Sequence, residues 1–291
     1  MNKKFVVMVT SLVIGGTLLF GTAYANASQL SGYEAYKAAI KDTKDLKNAT
    51  ADLKVSVYDN GTDIADTSTN VKINLTSNAL SEVTTEKAGN ENQTFNIYRQ
   101  DGKNVSKSST SDVYNVRENK TKNTNKNHET ENPEIAKSVE TVVDTLVGNM
   151  KNNVSVTDNN DGTKKASINL NENDVTPLTN ALASIAIIKS SDEPVDTGKI
   201  GEINFKNVFP QLQSNIKIKN VKITGDINKN DVLDNQVAKV DLTGIDAQGK
   251  THDITINATL DLSNINSTTP DTVDLTGKQV KNITQQFRER D

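Results

Sequence analysis

Residues 251–263 read THDITINATLDLS, and this stretch decides the architecture. Ile254, Ile256, Ala258, Leu260 and Leu262 alternate strictly with Asp253, Thr255, Asn257, Thr259 and Asp261. Successive strand residues point to opposite faces, so this segment carries one apolar face and one wholly polar face. An antiparallel sheet with one side covered and the other wet produces that pattern.

The same period of two recurs outward from this strand. Leu53, Val55 and Val57 alternate with Lys54 and Ser56. Asp59-Asn60-Gly61 follows as a hairpin turn, because Asn and Gly tolerate the positive φ of a type I′ turn. Val71, Ile73 and Leu75 form a further strand, as do Phe95, Ile97 and Arg99, with Tyr98 on the opposite face, before an Asp101-Gly102 turn and a short strand at 113–116. Val154 and Val156 precede a DNNDGT turn, after which Ala166, Ile168 and Leu170 alternate. Ile216 and Ile218 change phase with Val221 and Ile223 at Lys219-Asn220, as a β-bulge would require. Val240 and Leu242 lie in one more strand, which a DAQGK turn joins to 251–263.

Three segments follow the helical period instead. Ser31 caps a helix to about Leu46, with Glu34 completing a capping box and Tyr33, Tyr36 and Ile40 on one face. Asn132 and Pro133 open a second helix, whose stripe of Ile135, Val139, Val142, Val143, Leu146, Val147 and Met150 is suited to lie on a sheet. Thr176 and Pro177 open a third, with Leu178, Leu182, Ile185 and Ile188. Residues 118–132 contain no apolar residue and are expected to be a mobile surface loop.

Composition limits the chemistry. The 291 residues include no Cys, no Trp and two His, while Asn (37) and Thr (33) supply nearly a quarter of the chain, as a turn-rich β protein would. Without Cys there is no disulfide, thiolate nucleophile, iron–sulfur cluster or lipidated cysteine. Met1-Asn2-Lys3-Lys4, an uncharged apolar run to Phe20, and small residues at Ala23, Ala25 and Ala27 make residues 1–27 a secretory signal peptide, cleaved after Ala25 or Ala27. Removing it takes Lys3 and Lys4 and no acid, so 33 minus 2 basic groups against 37 acids changes the charge from −4 to −6. An acidic chain without a basic stripe does not suit nucleic acid. The expected location is the outside of a Gram-positive cell, with the membrane involved only through the signal peptide before cleavage. The expected domain spans 28–285, followed by a tail at 286–291.

Candidate sites are few. Asp226, Asn228, Asn230 and Asp234 occupy calcium-loop positions 1, 3, 5 and 9, yet Asp231 stands where Gly is needed and Val237 where a bidentate Glu is needed. A plain hairpin loop is the favoured reading, so no metal is expected. His128 falls in the polar loop and reads as solvated. His252 and Asp253 are strand neighbours on opposite faces and cannot form a dyad. There is no nucleophile elbow or phosphate-binding glycine motif, so neither an enzyme nor a cofactor is expected.

The helix SGYEAYKAAIKDT (31–43), long antiparallel strands with inserted helices, and the closing block 231–278 (DVLDNQVAKVDLTGIDAQGKTHDITINATLDLSNINSTTPDTVDLTGK) resemble secreted Gram-positive proteins. Their strand–helix order is similar to the LolA/LppX/RseB-like superfamily. That resemblance implies a lipid or acylated-peptide carrier or sensor, although many such proteins are lipoproteins and this chain has no Cys to acylate. The expected fold is α+β: a strongly curved antiparallel sheet, a half-barrel, with about three helices packed on its concave face. The expected function is non-catalytic binding of an apolar ligand between sheet and helices. Its candidate lining is Leu53, Val55, Val57, Phe95, Ile97, Val139, Val143, Leu146, Ile254, Ile256 and Leu260, with plain core packing as the alternative for each. The rival reading is a structural or interaction module of the cell wall, meeting a wall or envelope protein and holding no cavity.

Overall fold

The computed structural model describes residues 32–118, 153–175, 177, 180 and 208–283. The expected signal peptide, the expected loop beyond Glu118, the expected C-terminal tail and nearly all of the helices expected at 132–150 and 176–188 lie outside the described residues. So do His128, Val139, Val143 and Leu146.

One helix, α1 (Gly32–Lys44), precedes six strands: β1 (Asn48–Asp59), β2 (Thr62–Asn74), β3 (Ala79–Ala88), β4 (Glu91–Gln100), β5 (Lys103–Ser108) and β6 (Val113–Glu118). Six more follow: β7 (Val154–Asp158), β8 (Lys164–Asn171), β9 (Leu212–Ile227), β10 (Leu233–Asp246), β11 (Thr251–Ser263) and β12 (Gln279–Asn282). All twelve strands form one sheet in the order β12-β6-β5-β4-β3-β2-β1-β11-β10-β9-β8-β7. Every pairing is antiparallel except β12 with β6, which is parallel. The segment THDITINATLDLS is β11, paired with β1 on one side and β10 on the other, which explains its full alternation.

This overturns the expected α+β half-barrel with about three helices on its concave face. Strands make up 63% of the described residues, they form one mixed sheet, and α1 is the one helix described over its length. Part of the physical reason lies in β3, which buries the polar side chains Ser81, Thr84 and Glu86 and so lacks the apolar alternation that announces a strand.

Local chemistry elsewhere follows the sequence. Asn60 and Gly61 adopt φ of 49° and 79°, and Asp101 and Gly102 adopt 49° and 67°, as type I′ turns require. On β9, Asn220 pairs with Asp241 and Ile218 with Leu242, which leaves Lys219 as the extra residue of a bulge. The buried positions of α1 are Tyr33, Tyr36, Lys37, Ala39 and Ile40, its helical-period face. The Tyr36 hydroxyl donates to Gln236 Oε1 at 2.8 Å, and burial pushes its phenol far above the usual range. α1 therefore packs on the β7–β10 end of the sheet, over the core formed by Ile168, Ile223, Ala238, Val240 and Ile256.

The face bearing Tyr36's partner Gln236 is termed the inner face, and the opposite side is crossed by the chain after β11. From Ser263 this strap runs over β1 to β4 and delivers β12 to the edge of β6. Asn48 binds the Thr268 peptide on both sides: Nδ2 donates to Thr268 O at 2.9 Å, and Oδ1 accepts from Thr268 N at 2.7 Å. Gln100 repeats the arrangement on Val273, at 2.9 and 2.8 Å. Between them Asp271 N donates to Ser81 Oγ at 2.9 Å, and Lys72 Nζ lies 2.9 Å from the Asp271 carboxylate. β1 to β6 is five interstrand steps, about 24 Å, a distance that an extended strap of this length spans.

Candidate functional site

Register places the expected lining residues. Gln236, Leu260, Leu53, Thr69, Thr84 and Phe95 form one row across β10, β11, β1, β2, β3 and β4. The next row reads Ala238, Ala258, Val55, Thr67, Glu86 and Gln93, and the one beyond it Val240, Ile256, Val57, Ala65 and Ala88. Leu53, Val55, Val57, Phe95, Ile97, Ile254, Ile256 and Leu260 thus share the inner face.

Their surroundings differ. Val55, Val57, Ile254 and Ile256 are buried members of the main core. Leu53, Leu260, Phe95 and Ile97 are half-buried, as are Val71 and Leu262 beside them. Leu53, Leu260, Leu262 and Val71 make an apolar shelf across β11, β1 and β2, continuous with the core at one end of the strands, and Thr84 and Glu82 of β3 separate it from Phe95 and Ile97 on β4.

Next to the shelf lies a group that sequence reasoning missed. Glu86 is 0% exposed, and neither carboxylate oxygen has a hydrogen-bond partner among the described residues. Burial pushes its carboxyl above the usual carboxylate range. The neighbouring donors are committed elsewhere. Gln93 Nε2 donates to Ser108 Oγ at 2.7 Å and lies 3.3 Å from Thr110 Oγ1. Thr84 Oγ1 bonds Thr69 Oγ1 and Glu82 Oε1, both at 3.0 Å. Lys87 is the next residue in the strand and so projects from the outer face, where it lies 3.4 and 3.3 Å from Asp63 and Asp66. Ala65 and Ala88, with Val208 and Phe209 against them, close the other side of the Glu86 row. The sequence offered one signal, the alternation of Leu80, Glu82, Thr84, Glu86 and Ala88, but it is an alternation without hydrophobicity.

The opposite end of the inner face carries His252, 5% exposed. Its Nδ1 lies 2.9 Å from Asp59 Oδ2, and its Nε2 lies 3.1 Å from Asp246 Oδ2. Asp253 indeed points away, as strand alternation demands. The carboxylates come instead from the ends of β1 and β10, beyond the reach of local spacing. The His252 bond, with the backbone N–H groups of Lys250 and Gln248, holds the Asp246 carboxyl below its usual range. Each ring nitrogen thus faces a carboxylate. The arrangement pins the β1–β2 turn to the β10–β11 turn, and Asn60 N donating to Asp253 O at 2.8 Å reinforces it.

The calcium candidates sit at the β9–β10 hairpin. Asn228 Oδ1 accepts from the backbone of Asn230 at 2.9 Å and of Val232 at 3.2 Å, so it caps the turn. Lys164 pairs with Asp231, and Lys165 Nζ lies 3.9 Å from Asp226. Among the described residues no group of three or more His, Asp or Glu is placed to hold a metal ion, and no helix is long and apolar enough to cross a membrane.

No protein-family model matches the chain, and no curated protein is significantly similar to it.

Proposed function

We propose that this is an extracytoplasmic, non-catalytic binding protein whose apolar ligand, a lipid or an acylated peptide, lies against the inner face of the sheet. The observation that carries the reading is the shelf of Leu53, Leu260, Leu262 and Val71, with Phe95 and Ile97 on the same face beyond Thr84 and Glu82. Large apolar side chains left half-buried in one contiguous patch mark ligand or partner sites more often than scattered ones do. The leader-like residues 1–27 support export. The reading stands on this shelf rather than on the likeness to LolA/LppX/RseB-like proteins.

Native mass spectrometry of protein purified from cells tests it. The expected result is a co-purified lipid or acyl species that Phe95→Asp and Leu53→Asp abolish. A bare protein whose melting temperature no lipid raises refutes the reading. That outcome would favour the rival, a ligand-free structural module of the cell wall, which the doubly clamped strap across the outer face suits.

A further inference from the structure

We infer that the ligand of the inner face carries a primary ammonium head that pairs with Glu86, while its alkyl part lies on the shelf of Leu53, Leu260, Leu262 and Val71. This rests on the binding function proposed above and names the chemical class of the ligand. Glu86 and Thr84 are successive inner-face residues of β3, so the carboxylate row lies about 7 Å from the row that holds Leu53 and Phe95. One amphiphile of modest length spans both.

The chemistry of the head follows from what surrounds the carboxylate. A buried polar group is nearly always hydrogen-bonded, and an exception in a folded chain calls for an explanation. Glu86 has two acceptor oxygens without a donor among the described residues. The amide of Gln93 donates to Ser108, the hydroxyl of Thr84 bonds Thr69 and Glu82, and Lys87 is on the other face with Asp63 and Asp66. The carboxyl is already desolvated in the folded chain, so a cationic head brings only its own desolvation cost. In return it gains a charge-assisted pair, the strong class of hydrogen bond. An anionic head would set like charges together, and a hydroxyl head offers a single donor without charge.

The test uses three probes of equal chain length with the purified protein at pH 7: dodecylammonium, dodecanol and dodecanoate, each below its micelle concentration. Calorimetric titration is expected to show dodecylammonium bound at least about tenfold more tightly than dodecanoate. Glu86→Gln is expected to remove that preference and leave dodecanol binding unchanged. Asp253→Asn removes an exposed outer-face carboxylate and is expected to keep the preference, which separates a site from attraction to an acidic surface. If Glu86→Gln does not fold by circular dichroism, Glu86→Met takes its place. Equal binding of ammonium and carboxylate probes, or a preference that survives both Glu86 variants, overturns the assignment of the head while the shelf stands. Failure of all three probes to bind overturns the shelf reading and the head assignment with it.

Discussion

Glu86→Met should stabilise the ligand-free protein, and by an amount that grows with pH. Glu86 is 0% exposed and its oxygens are unpartnered among the described residues, so its carboxyl stays above the usual range because ionisation there is opposed by burial. A folded-state value raised above the unfolded one gives stability that is fully present below the unfolded value of about 4.5 and is lost as pH rises through the folded value. Over that window one proton separates the two states, so wild type should lose about 1.4 kcal/mol per pH unit relative to the variant, and then level off. Below pH 4.5 the carboxyl is neutral in both states, and the difference reduces to its unmade hydrogen bonds, about 1–3 kcal/mol. Methionine occupies nearly the same volume without polar oxygens, so repacking subtracts little. Urea unfolding followed by far-ultraviolet circular dichroism at pH 4, 5, 6, 7 and 8 measures the gap. Parallel stability curves for the two proteins, or a variant less stable at every pH, would refute the reasoning.

His252→Ala removes the bridge between Asp59 and Asp246 and leaves two carboxylates around an empty pocket, at a cost of about 3 kcal/mol in a urea melt. Asp246 is held below its usual range, so its contribution is present above about pH 3.8 and lost as pH falls through the lower folded value; acid unfolding should therefore be shallower in the variant. Asn48→Ala and Gln100→Ala each strip two hydrogen bonds from the strap, about 1 kcal/mol apiece. Together they should accelerate amide exchange in Gln279–Asn282 while β11 stays protected, and uniform exchange across both strands would count against a distinct strap. A Cβ at Gly32 would stand 2.8 Å from the backbone oxygen of Val154, whereas one at Gly225 would meet Cδ1, the end of the Leu233 side chain, at 2.6 Å. Gly32→Ala should therefore be the more destabilising of the two, and the reverse order in thermal melts would show that α1 does not seat tightly on β7.

How much of this was legible depends on whether a residue's partner leaves a trace in local spacing. The alternation of 254–262, the turns at Asn60-Gly61 and Asp101-Gly102, and the bulge at Lys219 are local features, and the structure has them where the sequence put them. β3 was invisible because its buried side chains Ser81, Thr84 and Glu86 are polar, so burial alternates while hydropathy does not. The strap was invisible for a different reason. Its anchors join Asn48 to Thr268 and Gln100 to Val273 across 220 and 173 residues, through amides that look like ordinary surface residues. His252 shows both limits at once: alternation correctly excluded Asp253, yet nothing in the sequence pointed to Asp59, 193 residues away. Weighting helix-period stripes equally with strands produced the three-helix expectation, which the twelve-stranded mixed sheet corrects.

The two faces of the sheet divide the work of holding it together. On the inner face α1 packs at the β7–β10 end, where Tyr36 and Ala39 join Ile168, Ile223 and Ala238 in an apolar core. The β1–β6 half is bound from behind, through the Asn48, Ser81, Lys72 and Gln100 bonds to the strap and through β12 closing the edge of β6. Fastening that half on its outer face leaves the inner-face residues of β1–β4 less constrained by packing. A sheet of this kind can keep apolar side chains half-buried at Leu53, Phe95 and Ile97, and can carry a buried carboxylate that costs stability, because its strands are tied elsewhere. Glu86, whose carboxylate oxygens have no hydrogen-bond partner among the described residues, lies on the inner face of the half that the strap secures, the combination that the proposed ligand site requires.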